Sequence, residues 1–92
     1  MRREDFLNKV ADIVTKDRNN QYGEPETSFK VIAQLWSIWL GKDIEEYDVA
    51  VLMILMKVAR MKHKVKEDSW LDIAGYSSLG SELCDDVKVV KK

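Results

Sequence analysis

The chain has 92 residues, with 15 Lys and Arg against 16 Asp and Glu, a formal net charge of −1, and 46% apolar and 34% charged residues. That balance excludes a disordered tail, a collagen-like fibre and a charge-driven nucleic-acid arm, each of which needs a far more skewed composition. One proline and four glycines supply too few turns for an all-β design, and the lone cysteine, Cys84, excludes an intramolecular disulfide framework and a cysteine-based zinc site.

The chain opens on Met1-Arg2-Arg3-Glu4-Asp5, which leads into an amphipathic pattern without a signal-peptide core. A first helix is expected over about 4–17, with Phe6, Leu7, Val10, Ile13 and Val14 at helical spacing. The polar segment from Asp17 to Gly23 suits a loop. A second helix over about 25–40 starts at Pro25, favoured in a first helical turn, and stops at the C-cap residue Gly41. It carries Phe29, Ile32, Ala33, Trp36, Ile38, Trp39 and Leu40.

The third helix is expected over about 44–64. Glu45, Glu46 and Asp48 in its first turns and Lys62, His63 and Lys64 in its last match the helix dipole at both ends. Its centre, Ala50 to Met56, is apolar nearly all round and predicts burial on most sides. The fourth helix, over about 67–84, carries Trp70, Leu71, Ile73, Ala74, Tyr76, Leu79 and Leu83. With no repeat and no low-complexity stretch, residues 1–92 read as one all-α domain, a bundle of four helices. The longest apolar run, Val49 to Met56, is far short of the roughly 20 residues that span a bilayer, and a cytoplasmic location is expected.

A chain of this size buries only about 60–65% of the surface its unfolded state exposes. Three Trp, four Met and a dense apolar centre exceed what such a core uses. The surplus predicts a homo-oligomer, a dimer before other states, packed through the second and third helices.

Polar residues set into apolar helices mark the candidate site. Asp68 and Asp72, four apart, project from one face of the fourth helix, and Tyr76 continues that stripe. Such a pair can share Mg²⁺ through oxygen ligands, with Asp48 on the third helix as a further acid. Lys57 and Arg60 can hold phosphate, arginine by its planar fork and lysine as a point charge. The same residues also fit a purely structural role, Asp68 as an N-terminal cap and Asp72 as the ion-pair partner of Arg60 or Lys57. In the loop, Arg18 to Gln21 offer hydrogen bonds, Tyr22 a stacking surface and Gly23 a backbone that a ligand can approach; a solvated connector explains that composition as well. The basic run from Lys57 through Arg60, Lys62, His63, Lys64 and Lys66 contains no acid, but a helix C-terminus accounts for much of it. Without interleaved aromatics or net basic charge, nucleic acid is not expected as the principal partner.

Three segments together resemble a group of small phage- and prophage-encoded proteins of unassigned function. They are Asp17 to Gly23, Asp48 to Arg60 and Asp68 to Tyr76, which carry a loop ending in Tyr-Gly, a helix ending in Lys-x-x-Arg and an Asp-x-x-x-Asp-x-x-Gly-Tyr helix. More distantly, the chain is similar to nucleotide-modification-associated phage domains. Through them it resembles the all-α nucleoside triphosphate pyrophosphohydrolases of the MazG and dimeric dUTPase type. The resemblance implies a phage or prophage nucleotide-binding protein in the host cytoplasm, with Asp68 and Asp72 on the second metal-bearing helix and Mg²⁺ between carboxylates. It makes Lys57 and Arg60 phosphate contacts, and Tyr22 or Trp36 base contacts. Those enzymes carry Glu-Glu-x-x-Glu on their first metal-bearing helix, whereas Glu45-Glu46-Tyr47-Asp48-Val49 has valine at the third acid. A hydrolase needs a full set of acids to hold its ions and activate water. Three functions therefore stand side by side: Mg²⁺-dependent nucleotide hydrolysis, binding that sequesters a nucleotide signal, and a helical protein-interaction module.

Overall fold

Helical spacing becomes four packed helices in the computed structural model, which describes residues 1–17 and 25–85. Among the described residues there is no strand, so the all-α class read from composition and periodicity is the observed one.

Helix α1 spans Arg3–Asp12 and runs on into a π-helical turn at Ile13–Asp17, where a regular helix to residue 17 was expected. Here the Thr15 hydroxyl donates to the Ala11 carbonyl at 2.6 Å, the back-bonding habit that loosens a helix. Helix α2 spans Pro25–Leu40. It ends where Gly41 takes φ +67°, a left-handed conformation that glycine adopts without a Cβ penalty, and the Gly41 N–H donates to the Ser37 carbonyl at 2.9 Å. The Ser37 hydroxyl then staples the turn. It donates to the Ala33 carbonyl at 2.7 Å and accepts from the Ile44 N–H at 2.9 Å.

Helix α3 spans Glu46–Met61 and is shorter at both ends than the expected 44–64. At its start the Glu45 N–H donates to Asp48 Oδ2 at 3.0 Å, which satisfies a donor left over at the helix N-terminus. At its end the His63 and Lys64 N–H groups both turn back to the Arg60 carbonyl, at 3.1 and 3.2 Å, so the chain leaves the helix three residues early. Helix α4 spans Glu67–Asp85.

The core joins α2, α3 and α4. Phe29 and Ala33, Val49 and Ala50, and Leu79 and Leu83 form one buried cluster, with Trp36, Met53 and Tyr76 packed against it. Phe29 and Val49 are fully buried, worth roughly 1.5–3 kcal/mol each. Helices α3 and α4 share the most extensive packing, and small residues let them approach: a Cβ on Gly80 would lie 2.9 Å from the Ala50 Cβ. Helix α1 and the π-helical turn both pack on α4, and a Cβ on Gly75 would lie 3.4 Å from Val14 Cγ1 of the turn.

One expectation is corrected. The centre of α3 is not buried on most sides in the single chain; Val51, Leu52, Leu55, Met56 and Val58 are all exposed. The reason is geometric, because α2 and α4 cover only part of the circumference of α3. Among the described residues, no helix is long and apolar enough to cross a membrane.

Candidate functional site

The C-terminal half of α3, the link 62–66 and the first turns of α4 enclose a cleft of about 470 Å³. Lys57 and Arg60 come from α3, one turn apart on its surface. His63, Lys64 and Lys66 come from the link, and Asp68, Ser69 and Asp72 from α4. The early end of α3 matters here: by folding back on the Arg60 carbonyl, the link brings its basic side chains to the cleft that Arg60 lines.

Across the cleft Lys57 Nζ meets Asp72 Oδ2 at 2.8 Å, with 16% and 41% of the two side chains exposed. The pair ties α3 to α4 and neutralises both groups where the helices are closest to enclosing them. With His63 neutral, four cations face two carboxylates, which leaves a formal excess of two positive charges in a chain whose total is −1. Arg60 and Asp68 are both exposed, and neither forms an ion pair among the described residues. A guanidinium outside an ion pair, in a cleft that two further lysines line, can bind an anion through its planar fork.

The expected residues divide into three sets. Lys57, Arg60, Asp68 and Asp72 come together in this cleft. Asp48, Trp36 and Tyr76 lie elsewhere. Asp48 caps the far end of α3, Trp36 packs on the core, and Tyr76 packs on the core and lines a small cavity beneath the π-helical turn. Arg18, Tyr22 and Gly23 lie outside the described residues. His63, Lys64, Lys66 and Ser69 also line the cleft; the basic run without an acid is the sequence signal for the first three, and nothing in the sequence marks Ser69. Among the described residues, no three His, Cys, Asp or Glu side chains group so as to hold a metal ion. A second cleft, also about 470 Å³, is lined mainly by apolar groups between the start of the chain and α4, with Phe6, Leu7 and Trp70 in its wall.

Comparison with known proteins places the chain in a family. A family model described as "Domain of unknown function (DUF6378)" matches residues 5–84, and the chain belongs to that family. It is 45% identical over 75 residues to the Gene 55 protein of Mycobacterium phage D29, covering 80% of this chain and 50% of that protein. It is 36% identical over 76 residues to the Gene 55 protein of Mycobacterium phage L5, covering 80% of this chain and 49% of that protein. The chain thus has phage relatives, and it spans about half the length of the curated relatives it matches. No solved structure matches it.

Proposed function

We infer that this DUF6378 member is a phage-related binding protein whose α3–α4 cleft takes a phosphate-bearing small molecule, a nucleotide, and holds it without turnover. The observation that carries this reading is the convergence of Lys57, Arg60, His63, Lys64 and Lys66 on one cleft of a chain with no net positive charge. The dipole at the α3 C-terminus favours cations there, but crowding them still costs energy, since like charges at close range repel. An oxyanion removes that repulsion. Arg60 supplies a planar fork for two oxygens, Lys64 and Lys66 supply point charges, and Ser69 a hydroxyl donor. The nucleotide class rests on the resemblance to the all-α pyrophosphohydrolases.

Binding is favoured over hydrolysis by what the acids do. Asp48, the acid nearest the one that those enzymes carry and this chain lacks, is spent on the α3 N-terminus, and Asp72 is engaged by Lys57. Asp68 is then the one carboxylate of the cleft outside an ion pair among the described residues. A Mg²⁺ ion here would be held by Asp68 and Asp72 only together with oxygens of the bound phosphates, an arrangement that suits an ion which keeps several of its waters. It would screen phosphate charge, and no chemical step is assigned to it.

The test is a thermal-shift panel of inorganic phosphate, pyrophosphate and nucleoside mono-, di- and triphosphates, each with and without Mg²⁺. A ligand at one hundred times its Kd adds about 2.7 kcal/mol, which in a domain this small raises Tm by roughly 10 °C or more. The shift is expected for at least one nucleotide, is expected to vanish in Arg60→Ala, and the ligand is expected to be recovered intact after denaturation. Recovery of hydrolysed nucleotide would establish an enzyme instead. A flat panel would leave the protein-interaction module standing.

A further inference from the structure

The two neighbouring helices α2 and α3 share a pattern that the core does not use. On α2 the residues against the core, Phe29, Ala33 and Trp36, follow i, i+4, i+7. Two residues further on, Val31, Leu35 and Ile38 repeat that spacing and are exposed. On α3 the core-side residues Val49 and Met53 are likewise followed, two positions later, by the exposed Val51 and Leu55, and Val58 continues that stripe one turn on. A shift of two residues turns about 200° around a helix. Each helix therefore carries a second apolar stripe on the side away from its own core. Ile38 and Trp39 are 79% and 86% exposed, and Leu52 widens the α3 stripe.

We propose that these stripes are the interface of a dimer, in which α2 and α3 of one copy pack against the same helices of a second copy. The size of the face points to it. Trp39 presents the most surface, and with the partly exposed Val31, Leu35, Ile38, Val51, Leu52, Leu55 and Val58 the two stripes together expose on the order of the roughly 800 Å² that each partner contributes to a stable interface. A soluble monomer leaves a largest patch of only about 300–600 Å². The charge pattern selects the occupant. Val31 to Trp39 contains no charged residue, and in Val51 to Val58 the one charge, Lys57, is turned to Asp72. A face without charge offers no handle for a charged partner and needs an equally apolar one, which this chain itself carries. A two-fold axis sets identical stripes against each other and closes the assembly.

Sedimentation of the whole chain from about 1 to 100 µM tests this. The expected mass is twice the 10.7 kDa of the chain at the upper end. Ile38→Glu and Leu55→Glu are each expected to give monomers at concentrations where the parent is dimeric, with the helical circular dichroism signal kept, whereas Glu82→Lys on α4 leaves the dimer intact. If a glutamate variant loses its helical signal, Ile38→Ser and Leu55→Ser carry the same test. A parent chain that stays monomeric at 100 µM overturns the proposal, and so do variants that remain dimeric. Ligand binding in the cleft is read separately by thermal shift, so either proposal can fail alone.

Discussion

Lys57 and Arg60 stand one turn apart on α3 and do different work. Lys57 is largely covered and pinned to Asp72, so its first effect is on the join between helices. A double-mutant cycle with Lys57→Ala and Asp72→Ala is expected to return a coupling of about 0.5–1.5 kcal/mol by urea unfolding, above that of a typical exposed pair. Arg60 is exposed and without an ion pair among the described residues, so Arg60→Ala is expected to change stability by less than about 0.5 kcal/mol while removing the ligand-induced Tm shift. A loss of stability comparable to that of the Lys57 variant would assign Arg60 to the structure rather than to a ligand. Ser37 offers a sharper local case. Ser37→Ala takes the acceptor from the Ile44 N–H and the donor from the Ala33 carbonyl, and is expected to cost about 1–2 kcal/mol in the same unfolding assay.

At the scale of elements, the contact between Gly80 and Ala50 decides how close α3 and α4 lie. Gly80→Ala gains up to about 1 kcal/mol of helix propensity but forces two Cβ atoms to 2.9 Å, and the net result is expected to be a loss of about 1–2 kcal/mol. Ala50→Gly in the same chain is expected to restore much of it, which a propensity effect alone does not predict. Much at this scale was legible in the sequence. Pro25, Gly41 and the apolar spacing placed α2, and the opposition of Lys57 to Asp72 followed from two consecutive helices joined by a short link. What escaped was set by contacts that periodicity does not encode. The π-helical turn contains a Thr15 hydroxyl bond to the Ala11 carbonyl that periodicity does not encode, and the basic residues of the link reach the cleft where His63 and Lys64 fold back on Arg60. Trp36 and Trp39 stand three apart on α2, yet the first packs on the core and the second is exposed. A helix that is apolar on two opposite sides does not announce which side is inward.

For the molecule as a whole, self-association links stability to concentration. If the α2–α3 faces pair, a tenfold increase in protein is expected to raise the Tm of the parent chain by a few degrees and to leave that of Leu55→Glu unchanged, as followed by circular dichroism. The close meeting of Gly80 with Ala50 has a consequence in time as well as in space. Amide protons exchange with solvent through local openings, and the last unit to open is the one whose helices are most tightly engaged. Here that unit is α3 with α4, so their central amides are expected to exchange slowest, and those of α1 and its π-helical turn much sooner. The basic cleft lies wholly within the slow pair and its connecting link, and its two walls therefore outlast the transient openings of the rest of the fold.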